Sequence, residues 1–429
     1  MNIMYAVRSS IFYQSWKLLK ARYAKWIWWN PWHALEILWV TGTDWKTSVC
    51  TILSHLLINL WHRTMMVGTN GVFIDGKPVV WVEKMTSYDP LDLQRLLARA
   101  LDLWVTHVVM EVSSHGLDQQ RFEWVPFRAA VLTNIAEEHL DYHLTMKHYI
   151  ASKRKLFEKL KYAWRSAIAV FPNDDPVGRK WEKKFQFKYE ISYGLSWSAK
   201  LSAKKIVYEA ESTSFQVERS ATSEPMSVPM IGEFNLRNTL AAMSVCLWLG
   251  HNLPEIITAM QWYNHASWRQ QYINLDGTHC YIDFAHTPQW LEAMLTTLKK
   301  IRGNDSWKII CVFWAPGKRD RKKRPLMASI VEKYSDIMIV TDDDASSENR
   351  RDILWDVHAW VSRELCDTYY LIPKRRDAIS LACKIASPWD YVLLAGKWHE
   401  KVLVTNFGKE IWDDEVVLKE EWKKNSWVK

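Results

Sequence analysis

Apolar residues along the chain follow two alternating patterns. Short unbroken runs, "ALEILWVTG", "RTMMVGT", "VTHVVMEV", "RAAVLTN" and "AIAVFP", read as strands buried on both faces. Between them, stretches such as "DPLDLQRLLARALDLW" and "MKHYIASKRKLFEKL" repeat apolar positions every three or four residues, the period of a helix with one buried face. Strand alternating with helix predicts a mostly parallel sheet covered on both sides. Residues 188–231 change period: "KIVYEA" and "SFQVER" alternate in twos, which predicts an antiparallel flap, and a helix rich in small residues, "NTLAAMSVCLWLG", follows. A second strand and helix series, with "THCYIDFAH", "KIICVFW", "DIMIVTD" and "YVLLAG", begins near residue 272. The expected fold class is therefore α/β throughout. It has a short basic extension over residues 1–36, a central domain over 37–265 and a Rossmann-like α/β domain over 266–429, with the boundary within "NHASWRQ" at 264–270.

Composition narrows the setting. The six cysteines (Cys50, Cys246, Cys280, Cys311, Cys366, Cys383) are scattered, which argues against a disulfide framework or a zinc ribbon and for a reducing, cytoplasmic location. No apolar run reaches the roughly twenty residues of a membrane span, and the N-terminus lacks the pattern of a signal peptide. Net charge is +8, and Arg8, Lys17, Lys20, Arg22 and Lys25 precede the first acid, Glu36. Residues 1–33 interleave those charges with aromatics. They can lie on an anionic membrane surface, making the protein peripheral at the inner membrane face, or pack their apolar side on the rest of the chain. Nucleic acid is not an expected partner, since basic residues elsewhere alternate with acidic ones and no recognition motif accompanies them.

One stretch carries chemistry by itself. In "VTGTDWKTSVC" a buried strand runs into a loop and a helix start, so backbone N–H groups and the helix dipole face an anion together. Gly42, Thr43, Asp44, Trp45, Lys46 and Thr47 form the loop, which makes the central domain a P-loop-type ATPase domain. Lys46 would reach the terminal phosphates of ATP and the Thr47 hydroxyl would hold Mg²⁺. Trp45 stands where close approach of phosphate calls for glycine. The chain has 27 Trp against 14 Gly, whereas glycine averages about 7% of residues, roughly thirty in a chain of this length. Trp124, Trp268, Trp314 and Trp398 also occupy loop or turn positions that read naturally as glycine. Many of these tryptophans are expected to stand for glycine, as they would if the source lineage decodes UGA as glycine. The rival reading is that they are genuine, in a degenerate, non-catalytic binding protein.

The ordered segments "GTDWKTS", "MEVSSHGLDQQR", "TNIAEEHLDYH", "FNLRN", "YIDFAHTP", "GKRDRKKRPLM" and "LLAGKWHEKV" resemble the Mur ligase family, closest to its MurE type, over residues 37–429. The resemblance implies ATP-dependent amide formation on a muramoyl-L-Ala-D-Glu-type peptidoglycan precursor: the substrate carboxylate is phosphorylated and the amine of an incoming amino acid attacks the acyl phosphate. It implies catalytic roles for Lys46, Glu111, His139 and Lys153. Thr47, Glu111, His139 and a carbamylated Lys153 would act at magnesium, with Lys155 near enough to compete for the alignment. Asn235, Arg269, Asp283 and His286 match nucleotide contacts. Thr86, Ser87, Ser113, Gln119 and Arg121 match contacts to the muramoyl peptide, with Met85 where asparagine is common. Arg319, Gly396 and Glu400 match contacts to the incoming amino acid.

Two departures from the family pattern bear on substrate. Asp343, Asp344, Ala345 and Ser346 stand where diaminopimelate-type members carry Asp-Asn-Pro-Arg. Ser346 cannot clamp a distal carboxylate as a guanidinium does, so an L-lysine-like diamino acid is favoured over meso-diaminopimelate. Only some forty residues precede Gly42, so the usual N-terminal UDP-binding domain is expected to have no counterpart, and the acceptor is expected to carry either UDP or a lipid. Folylpolyglutamate synthetase, from the same superfamily, is the nearest enzymatic alternative.

Overall fold

The computed structural model describes Ser15, Leu19 and residues 34–79, 85–163, 166–263, 270–285, 287–314, 323–341, 350–397, 402–405 and 408–426. The basic N-terminal segment, apart from those two residues, and the boundary at 264–269 lie outside this set, as do Trp268 and Trp398. The chain forms two compact units. One comprises Met1–Val207, Ser214–Val228 and Phe234–Tyr263; the other comprises Tyr208–Thr213, Pro229–Glu233 and Asn264–Lys429.

The first unit is built on an eleven-stranded sheet. Its centre is β1 (Glu36–Thr41), with β2 (Thr64–Gly68), β3 (Gly71–Ile74), β4 (Lys77–Pro78) and β5 (His107–Glu111) to one side. To the other lie β6 (Ala129–Leu132), β7 (Ile168–Pro172), β8 (Tyr189–Gly194), β9 (Leu201–Tyr208), β10 (Thr213–Arg219) and β11 (Thr222–Val228). The spatial order is β11-β10-β9-β8-β7-β6-β1-β5-β2-β3-β4. β1 pairs in parallel with both β5 and β6, so Val40 lies opposite both Glu111 and Val131. These central strands are buried at nearly every position, as strands covered on both faces must be.

The flap differs from expectation at its start. β7 pairs with β8, and the end of β8 with the start of β9, in parallel. β10 and β11 follow as the next strands in the sheet. The two-residue period is confined to the outer strands: Thr213, Phe215 and Val217 are buried while their neighbours reach solvent. β8 sits inside the sheet, where alternation carries no information about direction.

Helices cover the sheet for reasons visible in the sequence. In α1 (Lys46–Asn59) Val49, Cys50, Ile52, Leu53, Leu56 and Leu57 are buried. In α2 (Pro90–Asp102) the Asp89 side chain caps Leu91 N–H, Pro90 opens the first turn, and Leu93, Leu96, Leu97 and Ala100 face inward. α3 (Ser114–Asp118), α4 (Leu140–His143), α5 (Met146–Leu160), α6 (Pro176–Phe185), α7 (Glu233–Trp248) and α8 (Leu253–Gln261) complete the unit.

The second unit holds a six-stranded sheet. Its strands are β12 (Gln271–Leu275), β13 (Thr278–Asp283), β14 (Ile309–Trp314), β15 (Ile337–Thr341), β16 (Tyr369–Leu371) and β17 (Tyr391–Ala395), in the order β12-β13-β17-β14-β15-β16. All pairs are parallel except β12 with β13. β18 (Val402–Thr405) and β19 (Gly408–Ile411) form a separate hairpin. Covering helices are α9 (Pro288–Arg302), α10 (Lys323–Tyr334), α11 (Arg350–His358), α12 (Arg375–Ile385) and α13 (Asp414–Ser426). None of the six cysteines forms a disulfide, and all but Cys366 are buried. Among the described residues no helix is long and apolar enough to cross a membrane.

Two polar features inside this architecture have measurable consequences. The Arg375 guanidinium, at the start of α12, grips the Asp414 carboxylate at the start of α13 through Nε (2.9 Å) and Nη2 (2.5 Å), and both side chains are almost fully buried. Trp412 Nε1 donates to the same carboxylate. Asp414→Ala leaves the guanidinium without its counter-ion, and should destabilise the unit by about 3–5 kcal/mol in urea unfolding.

His107, at the start of β5, is buried against His62, with ring centroids 4.2 Å apart, and His62 Nε2 lies 2.9 Å from His251 Nε2. Burial, then the two neighbouring rings, push His107 down to about 3. The unfolded imidazole binds its proton near pH 6.5. Between those values the unfolded state holds the extra proton, so stability falls as pH drops through that window. The urea midpoint should decrease between pH 7 and pH 4.5, and His107→Gln should flatten that decrease.

Candidate active site

The site is built where β1 ends. Gly42 has φ 155°, and a Cβ there would collide with the Thr133 hydroxyl, so the residue must be glycine. The loop is tied to the end of β6: Thr43 N–H donates to Asn134 O, and Asp44 N–H to Asn134 Oδ1, each at 2.9 Å. The Thr133 hydroxyl donates to Asp44 O at 2.7 Å. Thr43 Oγ1 lies 2.8 Å from the Tyr149 hydroxyl on α5. Trp45 is the residue before α1, with φ 63° and ψ 7°, and its side chain caps none of the first-turn N–H groups. Its ring stacks on Phe234 with centroids 5.7 Å apart, next to the buried Asn235 of α7.

Two lysines converge on one carbonyl of this loop. Lys46 Nζ donates to Gly42 O (3.1 Å) and Thr43 O (2.7 Å), while Lys153 Nζ reaches the same Gly42 O at 2.5 Å. Lys153 is 1% exposed. Burial, and then the charge on Lys46, hold its ammonium well below the ordinary lysine range. Lys155, two residues on, points elsewhere: its Nζ pairs with Asp118 Oδ1 at 2.8 Å.

Glu111 closes β5 beside the loop and is 1% exposed. Thr69 holds both its oxygens, N–H to Oε1 at 3.1 Å and hydroxyl to Oε2 at 3.0 Å, and the Thr69 hydroxyl also meets Thr86 Oγ1 at 2.9 Å. The Thr47 hydroxyl is buried in the first turn of α1. Among the described residues no three His, Cys, Asp or Glu side chains are grouped so that they could hold a metal ion by themselves. One buried carboxylate and one hydroxyl nonetheless suit a magnesium ion, which takes its remaining oxygens from phosphate and water.

A second polar group adjoins the first. Ser87 Oγ lies 2.9 Å from Ser113 Oγ, and Ser113 caps Gly116 N–H at the start of α3. Arg121 donates to Ser87 O (2.6 Å) and through Nε and Nη2 to Gln119 Oε1, while Gln119 Nε2 reaches the Tyr142 hydroxyl at 3.3 Å. Ser87, Ser113, Gln119 and Arg121 are thus joined into one network that extends to Tyr142, Thr86 is tied to Glu111 through Thr69, and Met85 is exposed.

His139 has φ 56° and its ring sits edge-on to His115, centroids 4.8 Å apart. Desolvation and then the charges of His115, Lys46 and Lys153 push it down to about 4, so its ring is neutral at pH 7.

In the second unit Asp283 and Gly396 end neighbouring strands, and Gly396 N–H donates to Asp283 O at 2.9 Å. Arg269, His286, Arg319, Asp343, Asp344, Ser346 and Glu400 lie outside the described residues.

Sequence reasoning overlooked several residues that position this site. Asn134 lies inside "TNIAEEHLDYH", a segment read chiefly for its histidine. Tyr149 precedes Lys153 by one helical turn and so shares its face. Thr69 ended a segment read only as a strand. Asp118 had no signal: its carboxylate gathers Lys155, Ser152 and Tyr142 from α4 and α5, and although burial pulls its pKa up, Lys155 and then Tyr142 hold it below the usual range.

The profile of the "Mur ligase middle domain" matches residues 40–246, and that of the "Mur ligase, glutamate ligase domain" matches residues 268–398. The "UDP-N-acetylmuramyl-tripeptide synthetase 2" of Oceanobacillus iheyensis is 34% identical over 398 residues, covering 91% of this chain and 78% of that protein. The chain belongs to the Mur ligase family. A Bacillus cereus relative, "UDP-N-acetylmuramoyl-L-alanyl-D-glutamate--2,6-diaminopimelate ligase", is 33% identical over 91% of this Mur ligase and 79% of its own length. A solved structure of a ligase of that name has 28% identity and a TM-score of 0.68, over 95% of this chain and 81% of that one. Folylpolyglutamate synthase of Mycobacterium tuberculosis has a TM-score of 0.70 at 14% identity, over 89% of this chain and 92% of that one, a likeness of fold alone. Membership of the family makes this Mur ligase an ATP-dependent acid–amino-acid ligase.

The carboxylate of Asp118 joins α3 to α4 and α5, the helix that carries Lys153. Asp118→Ala should cost roughly 1–3 kcal/mol, since three donors lose one acceptor. Lys155→Met should cost no more than about 1 kcal/mol, because that ion pair is part exposed. Thermal unfolding of the two variants checks the order.

Proposed function

We propose that this Mur ligase joins an L-lysine-like diamino acid to a muramoyl-L-Ala-D-Glu-type peptidoglycan precursor. The γ-phosphoryl group of ATP passes to a carboxylate oxygen of the acceptor. The incoming amine then attacks the carbonyl carbon and loses a proton, and phosphate departs from the tetrahedral centre. Amide, ADP and phosphate are the products.

The observation that carries the reading is the pairing of Lys46 and Lys153 at Gly42 O, beside Glu111. Phosphoryl transfer between two anions needs fixed positive charge, and Lys46, held against the loop carbonyls, is placed to supply it. Thr86 and the network of Ser87, Ser113, Gln119 and Arg121 supply hydroxyls and a guanidinium for an acidic peptide. Thr47 and Glu111 would hold Mg²⁺, which supplies charge neutralisation across the phosphates.

Lys153 rather than Lys155 suits carbamylation. A buried amine with a depressed pKa is neutral often enough to add to CO₂, and its carbamate beside Lys46 replaces a repulsion by an attraction. His139, neutral at pH 7, is available as a ligand beside it. For the amino acid, the support is the absence of an arginine at Ser346. The relatives named for diaminopimelate are the contrary precedent.

The test is phosphate release by the full chain carrying Trp45→Gly, with UDP-linked and lipid-linked muramoyl dipeptides and a panel of diamino acids. Release should require both acceptor and amine and be faster with L-lysine than with meso-diaminopimelate. A preference for diaminopimelate would remove the specificity reading, and release driven by a folate substrate alone would remove the muramoyl reading. Lys153→Ala should lower kcat at least about a hundredfold, the scale of one lost electrostatic stabiliser.

A further inference from the structure

Among the described non-glycine residues, five tryptophans have left-handed backbone: Trp45 (φ 63°), Trp61 (66°), Trp104 (59°), Trp124 (67°) and Trp389 (76°). A Cβ clashes with its own backbone in that region, and an indole offers no local hydrogen bond in compensation.

Three of these positions belong to motifs that select glycine. At the end of α1, Trp61 N–H donates to Ile58 O (3.1 Å) and His62 N–H to Leu57 O (2.9 Å). At the end of α2, Trp104 N–H donates to Leu101 O and Val105 N–H to Ala100 O, both at 2.9 Å. This pair of bonds defines the glycine-terminated helix cap. The same pair closes α7, where Gly250 N–H donates to Leu247 O and His251 N–H to Cys246 O, and there the left-handed residue is a glycine with φ 103°. Trp389 is the third residue of a turn in which Asp390 N–H donates to Ser387 O (3.1 Å) and Pro388 stands second. Proline then a positive φ is the type II turn, whose third position is glycine's. The rings bring little return in burial: Trp61 is 96% and Trp104 82% exposed, and Trp389, tilted against His279 and Trp307, is 55% exposed.

Trp314 reaches the same conclusion by another route. Its indole occupies the space that a Cβ on Gly396 would fill, and its Nε1 is buried without a hydrogen-bond partner, as is that of Trp45. It ends β14, so the ring lies over the carboxyl ends of β14 and β17 beside Asp283, where an open α/β sheet receives its ligand.

We infer that the protein as its own cell makes it carries glycine at positions 45, 61, 104, 124, 314 and 389. Glycine at 314 opens the crevice of the second unit, and glycine at 45 bares the first turn of α1. Trp61, Trp104 and Trp389 belong to neither place, so the inference stands apart from the functional reading.

Two measurements test it. Tandem mass spectrometry of peptides from the protein purified from its source cells should read glycine at all six positions; tryptophan at 61, 104 or 389 would overturn the inference. Separately, the full recombinant chain with Trp61→Gly, Trp104→Gly and Trp389→Gly together should melt several degrees above the chain as written. An unchanged or lower melting point is the opposing result. ATP binding by that triple variant should appear only when Trp45→Gly is added.

Discussion

The tie between the loop after β1 and the end of β6 is the constraint on which the site depends. Because β1 lies between β5 and β6, its loop emerges beside Glu111 on one side and Asn134 on the other. Asn134 holds Thr43 and Asp44 through main chain and side chain together, and Thr133 fixes Asp44 from behind. With those N–H groups engaged, the carbonyl of Gly42 is turned toward the lysines. A loop free to move would offer neither lysine a fixed acceptor, and the crevice at this topological break would lose its charge pattern.

The fold was legible because strands covered on both faces leave unbroken apolar runs, and β1, β5, β6 and β7 each did so. The flap was legible only in part. A two-residue period reports that one face is wet, not which way a neighbour runs, so the parallel pairing of β8 escaped it.

The loop lysine and the Glu111 strand end could be read from local sequence because the chemistry sits on consecutive residues. Lys153 could be reached through family resemblance, but its choice over Lys155 needed three dimensions: two residues along a helix turn a side chain by about 200°, from the buried loop to Asp118. Asp118, Thr69 and Tyr149 were illegible for the same reason, since each acts on groups distant in sequence. The tryptophans were the reverse case. Composition showed an excess, and backbone geometry then separated positions where a large ring is merely present from those where it violates the turn that contains it.

The salt link between the starts of α12 and α13 joins two residues 39 positions apart along the chain. Until Asp414 has cleared the ribosome, the guanidinium of Arg375 has nowhere dry to go. The strands ending at Ala395 are therefore translated before the partner that neutralises Arg375, and their unit closes only once that later segment folds back onto it.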